Sequence, residues 1–166
     1  MLHEGDIDEK TAEYLVPKDC ETSRYYTLPK THKAPDTSGH LKIRPVISGI
    51  GSPIERLSEF LDFFINPEVQ KLDSFIKDSK DMVKVIEGVN EKGPLPPSTA
   101  LFTIDVKAMY PSLPQYLSIK GVRKSLDSRQ LKKPSTDYLL ECLKLCRTEN
   151  HFEFNGRFLL RYTVPR

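Results

Sequence analysis

Asp105 is the residue of this chain whose setting most invites chemistry. It closes the β-rich apolar run Leu101-Phe102-Thr103-Ile104, is followed by Val106, and has an aromatic, Tyr110, five residues on. A carboxylate held rigidly at a strand end is a hard oxygen ligand suited to Mg²⁺, and the backbone carbonyl of Val106 can add another. The second candidate feature is a basic hairpin whose two strands carry Lys30 and Arg44. Each residue also has a plainer use. Asp105 could cap the turn closed by Pro111, Tyr110 could be a core aromatic, and Lys30 and Arg44 could be solvated surface cations.

These residues need elements to hold them. A short helix with an acidic first turn is expected over residues 6–15, stopped by Pro17. Arg24 to Lys33 should be extended, since Tyr25, Tyr26, Thr27 and Leu28 favour strand and Pro29 marks an edge. The cluster Ala34-Pro35-Asp36-Thr37-Ser38-Gly39 turns the chain, and Leu41 to Ser48 returns as the partner strand. Ser52-Pro53 reads as the cap of a helix whose buried stripe is Ile54, Leu57, Phe60, Leu61 and Phe64. Asn66-Pro67 restarts the pattern through Val69, Leu72, Phe75 and Ile76, and Ser79 caps a third helix with Met82, Val83, Ile86 and Val89 as its core face. A proline-rich connection, 92–97, leads to the strand ending at Asp105. Helices from about Gln115 to Asp127 and from near Ser135 follow, the latter with an apolar face of Leu139, Cys142, Leu143 and Cys146. Asn155-Gly156 is a two-residue hairpin signal joining His151–Phe154 to Arg157–Tyr162. The fold class is α+β.

Composition narrows the partners. The 166 residues suit one domain or part of a larger protein, with a net charge of +2 that is unevenly spread. Residues 30–44 hold four cations and one anion, residues 120–147 eight cations and three anions, and residues 53–92 six cations and nine anions. Basic lobes flanking an acidic middle suit a polyanionic partner. The three cysteines, Cys20, Cys142 and Cys146, form no secreted framework. Cys142 and Cys146 lie four apart with His151 beyond, but zinc needs a further ligand, so buried thiols are expected. The first residues are not a signal peptide and no apolar run reaches membrane-spanning length. The expected location is intracellular, nuclear or cytoplasmic, with no membrane partner.

Several blocks carry a family resemblance. Tyr26-Thr27-Leu28-Pro29-Lys30-Thr31-His32-Lys33, Arg44-Pro45-Val46-Ile47-Ser48-Gly49 and Asp105-Val106-Lys107-Ala108-Met109-Tyr110 resemble the first blocks of a reverse transcriptase. The likeness is to Penelope-like retroelements, and more distantly to telomerase catalytic subunits. Ser58-Glu59-Phe60-Leu61-Asp62 and Ser74-Phe75-Ile76-Lys77-Asp78 read similarly, so it runs in order from about Gly5 to Leu160. It implies the fingers (1–98) and the N-terminal half of the palm (99–166) of a right-hand polymerase. It also implies Asp105 and the Val106 carbonyl as ligands for catalytic Mg²⁺, Tyr110 as a ring excluding a ribose 2′-hydroxyl, and Lys30 and Arg44 as the grip on an incoming triphosphate. His32 and Lys33 flank the template path in this comparison or are ordinary surface residues. The partners implied are an RNA template, a DNA primer and a deoxynucleoside triphosphate.

The chain departs from that pattern in one respect that bears on activity. Two-metal catalysis needs a further carboxylate pair, and no Asp-Asp pair occurs in the sequence. Residues 161–166 also leave the family pattern, as in a truncated, spliced or frameshifted end. The expectation is a reverse transcriptase fragment, inactive as a polymerase alone, binding Mg²⁺ weakly and prone to self-association through an uncovered half-palm. Two alternatives are a non-catalytic nucleic-acid-binding module and a small helical interaction protein.

Overall fold

The structure, a computed structural model, describes residues 5–106, 109, 113–148 and 151–160. Helix α1 spans Glu9–Leu15; Asp8 caps it by accepting a hydrogen bond from the Thr11 N–H at 2.8 Å. Hydrogen bonding from the Thr11 side chain first, and from its N–H second, draws the Asp8 carboxyl below its ordinary range, and Val16 ends the helix just ahead of Pro17. Tyr14 clasps α1 to the helix that follows the hairpin. Its hydroxyl donates to Glu59 at 2.6 Å, its carbonyl accepts from Arg56 at 3.1 Å, and the Arg56 guanidinium lies 5.3 Å from its ring centre.

Strands β1 (Ser23–Pro29) and β2 (Ile43–Ser48) form the antiparallel hairpin read from the sequence. Its connection turns on Asp36, whose Oδ1 accepts from the Ser38 and His40 N–H groups at 2.9 Å each, with Gly39 at φ 78°. Strands β3 (His151–Phe154) and β4 (Arg157–Leu160) form the second hairpin, and Asn155 (φ 51°) and Gly156 (φ 70°) supply the positive angles of its turn. β3 lies parallel to β1, giving one sheet in the order β2-β1-β3-β4.

Helices α2 (Glu55–Val69), α4 (Gln115–Ser128) and α5 (Thr136–Thr148) pack on one another, with α3 (Ser79–Asn90) between α2 and α4 in the chain. The core they enclose is Leu61, Leu126, Tyr138, Leu139 and Cys142, with Leu57, Phe60, Phe64, Val122 and Cys146 against it. Phe60 meets Phe64 edge-to-face at 5.1 Å and Tyr138 at 6.5 Å. Asp6 closes the far end of this bundle. Its two oxygens accept from the Ser135 N–H (2.6 Å) and hydroxyl (2.9 Å), while Ser135 Oγ accepts from the Tyr138 N–H at 3.2 Å. Beside it Arg129, 4 % exposed, donates to the carbonyls of Leu131, Lys132 and Pro134 and shapes the α4–α5 loop. The sheet and this core both join elements from the two sides of residue 98. None of the described helices is long and apolar enough to cross a membrane.

Five local expectations change. Residues 101–106 belong to no helix or strand, and Leu101, Phe102 and Ile104 are 95 %, 77 % and 82 % exposed. A β-prone run becomes a strand only when a neighbour satisfies its backbone, and none of the four strands takes that place. Ser52 does not cap α2; its hydroxyl is buried without a partner among the described residues, and the Glu55 carboxylate instead accepts from the Gly51 N–H at 2.9 Å. Asn66-Pro67 continues α2 rather than restarting a helix, and Pro67 sits inside its last turn at the cost of the bond its missing N–H would give to the carbonyl four residues back. Asp78, not Ser79, caps α3, accepting from the Lys80 and Asp81 N–H groups at 2.8 and 3.1 Å. The apolar face of α3 is not a core face, since Met82, Val83, Ile86 and Val89 all remain substantially exposed.

Core and surface should therefore respond differently to truncation. In urea unfolding, Leu139→Ala is expected to cost about 2–5 kcal/mol, the usual range for a fully buried leucine. Val85→Ala on α3 should cost less than about 0.5 kcal/mol, as at an uncommitted surface position. Equal losses would mean that α3 is packed against the bundle.

Candidate functional site

The hairpin brings two of the predicted residues together. Leu28 pairs with Arg44, and the Lys30 N–H donates to the Lys42 carbonyl at 2.8 Å, carrying the ladder one step past the end of β1. Directly opposed residues of an antiparallel pair share a face, as do residues two apart on a strand. Lys30, Lys42 and Arg44 consequently stand on one face of the hairpin, Lys30 half-buried and the other two exposed. Their charged groups have no hydrogen-bond or ion-pair partner among the described residues, so like-charge repulsion within this patch is relieved only by solvent or a bound anion. Lys42 was not singled out from the sequence. Strand alternation gives the signal, but only once the register is known.

Asp105 and Val106 belong to the exposed 101–106 segment. No hydrogen bond or ion pair joins Asp105 to the hairpin cations among the described residues. Its carboxylate is accessible rather than sealed in apolar packing. Among the described residues no three or more His, Cys, Asp or Glu side chains gather closely enough to hold a metal ion. Asp105 and the Val106 carbonyl are thus two hard donors out of the six that Mg²⁺ prefers, and the described residues do not complete the set. Tyr110 lies outside the described residues.

The second basic stretch is partly neutralised. Arg123 of α4 pairs with Asp137 of α5 at 2.7 Å, Lys144 pairs with Glu141, and Lys132 donates to the Asp127 carbonyl. Lys120 and Lys124 remain exposed on α4. Two clefts hold none of the predicted residues. One of about 470 Å³ lies between α2 and the start of the α4–α5 loop, against Phe64, Glu68 and Arg129. The other, about 340 Å³, lies at the start of α2 near Ser23, Ser52 and His151.

Cys142 is buried and Cys146 half-buried, whereas Cys20 is exposed. Burial is the first cause pushing the Cys142 and Cys146 thiols above their ordinary value, opposed in part by hydrogen bonds from Tyr138 and Ser58. Burial likewise pushes the Tyr138 phenol up to about 12. No family model, no curated protein and no solved structure matches the chain.

Two measurements follow from this layout. With a colorimetric disulfide reagent near neutral pH, Cys20, which is exposed, should react first, and Cys142 and Cys146 only as the protein unfolds. Prompt reaction at all three would contradict the packing of α5. The raised groups also set an alkaline limit. Folding favours their protonated forms, so this stabilisation is complete below pH 9.0, the ordinary thiol value, and is lost as pH climbs toward 12. The urea midpoint should fall across that window, and a midpoint that rises there would be inconsistent with buried thiols and phenol.

Proposed function

We propose that this chain is the fingers and first palm portion of an RNA-directed DNA polymerase of retroelement origin, inactive in nucleotide addition by itself. The observation that carries the proposal is the set of unpaired cations on one hairpin face, Lys30 and Arg44 among them, in a chain whose ordered blocks resemble those of reverse transcriptases. Arg44 offers a planar fork for two phosphate oxygens, and Lys30 a compact charge held closer to the sheet. Lys42 adds to the same field. The exposed Asp105 carboxylate and the Val106 carbonyl are the residues that would meet Mg²⁺ in the complete enzyme. Bound there, the metal would polarise phosphoryl oxygens and lower the pKa of an attacking hydroxyl. A working centre would need Asp105 brought to the hairpin and more carboxylates than it supplies alone. The substrates would be an RNA template, a DNA primer and deoxynucleoside triphosphates, and self-association would run through the exposed 101–106 and α3 surfaces.

A second reading, a nucleic-acid-binding module without catalysis, is favoured by one observation: Lys120 and Lys124 of α4 are further exposed cations. The third, a helical interaction protein, draws on the uncovered face of α3.

Primer extension with Mg²⁺ on a homopolymeric RNA template separates these. Purified chain should add no nucleotides above an Asp105→Ala control; extension above that control would defeat the claim of inactivity. The hairpin is tested apart from chemistry. The Lys30→Gln, Arg44→Gln double variant should unfold within about 0.5 kcal/mol of wild type. It should nevertheless elute from heparin at clearly lower salt. Unchanged elution would move the polyanion site away from the hairpin. Salt-sensitive nucleic-acid binding that survives this double change would favour the α4 surface of the second reading.

A further inference from the structure

We propose that the cleft at the start of α2, about 340 Å³, is a binding site for a small uncharged molecule that carries an apolar ring and one hydroxyl or amide group. The site uses none of Lys30, Lys42, Arg44 or Asp105, so it stands independently of the polymerase reading above.

Ser52 is the residue that points to an occupant. It lines the cleft, is only 3 % exposed, and its hydroxyl has no hydrogen-bond partner among the described residues. The main chain around it is already committed. The Ser52 N–H donates to the Gly49 carbonyl at 3.1 Å, and the Ser52 carbonyl accepts from the Glu55 N–H at 3.1 Å. The Gly51 carbonyl accepts from the Glu21 N–H at 2.8 Å, and its N–H is held by the Glu55 carboxylate. Capping α2 does not explain the serine either, since the cap position is Ile54 and uses no side-chain hydrogen bond. A buried hydroxyl left unmet is a standing cost that alanine would not carry. A turn about χ1 from one staggered position to another brings that hydroxyl to an occupant of the cleft.

The rest of the lining selects the ligand. Ser23 at the start of β1 and His151 at the start of β3 bring a further hydroxyl and an imidazole. Ile54, Leu57 of α2 and Leu145 of α5 supply an apolar wall. Among the described residues no Asp, Glu, Lys or Arg lines the cleft. Nothing there offsets the desolvation of a charged group, so phosphates and carboxylates are disfavoured and a neutral molecule fits. The volume lies at the small end of ligand cavities, room for about one or two rings. A wholly apolar guest would cover the wall and leave Ser52 unmet, whereas water would meet Ser52 and leave the wall wet. A guest with both parts satisfies both. Because the lining comes from β1, β3, α2 and α5, that guest bridges the sheet and the helical bundle.

The test is methyl nuclear magnetic resonance of the full chain, titrated with para-cresol in the absence of nucleotide and metal. The Ile54, Leu57 and Leu145 methyl signals should shift together and saturate. Ser52→Ala should weaken para-cresol binding about tenfold, the loss of one hydrogen bond to a buried partner. The isostere para-xylene, in which a methyl replaces the hydroxyl, should bind wild type and Ser52→Ala alike. The charged para-toluate should not compete with para-cresol. Without ligand, the urea midpoint of Ser52→Ala should equal or exceed that of wild type. A lower midpoint would show the hydroxyl already satisfied within the fold and would overturn the site. Unchanged para-cresol affinity in Ser52→Ala, an equal loss for para-xylene, competition by para-toluate, or shifts that miss these three residues would each overturn it as well. Failure of the primer-extension or heparin expectations leaves this site untouched, because no hairpin cation takes part in it.

Discussion

Strand β1 is the constraint on which the rest of this fold depends. It pairs with β2 through six residues and with β3 through only Ser23 and Arg24, so a two-residue parallel contact joins the two hairpins. So short a ladder would hold little by itself; the Tyr25 ring wedged against Phe152 and Phe154 secures it. Because Tyr25 is fixed on one side, strand alternation turns its even-numbered neighbours to the other. The positions of Arg24, Tyr26 and Lys30 follow from that single commitment, as do those of Lys42 and Arg44 through the register.

The helical bundle acts on this arrangement from a distance. Its core of Leu61, Leu126, Tyr138 and Leu139 is small, and the N-terminal residues Asp6 and Ile7 are drawn in to complete it, Asp6 at Ser135 most directly. Arg129 fixes the intervening loop with backbone carbonyls rather than carboxylates, so that buried cation is spent on shape. Among the cations left for recognition are those on the hairpin and Lys120 and Lys124 of α4. The segment bearing Asp105 belongs to no helix or strand. A catalytic role for it would require an ordering event, through a partner, a substrate or more protein, that also covers Leu101, Phe102 and Ile104.

How much of this was legible in the sequence depends on whether the deciding interaction was local. The Asn155-Gly156 turn, the stop before Pro17 and the apolar stripe of α2 were readable because turn chemistry and periodicity act over a few residues. The hairpin of Lys30 and Arg44 was readable for the same reason. The parallel contact of β1 with β3, some 130 positions away in the chain, left no local trace. The cap of α3 was misplaced by one residue because Asp78 and Ser79 both have suitable side chains, and that of α2 because its cap position, Ile54, uses no side-chain hydrogen bond. Strand propensity at 101–105 misled outright: β-branched and aromatic residues favour a strand only where a sheet edge receives them. The candidate site was legible as residue types and as one hairpin, while the exposed, strand-free setting of Asp105 was not.

The central claim is that the cations of one hairpin face, Lys30, Lys42 and Arg44, receive a phosphorylated substrate. The most direct measurement is a side-chain nuclear magnetic resonance titration of labelled protein with deoxythymidine triphosphate. The Arg44 guanidinium and the Lys30 and Lys42 ammonium signals should shift together and saturate, ahead of those of Lys120 and Lys124 on α4. Shifts confined to α4, or none on the hairpin at saturating ligand, would contradict it.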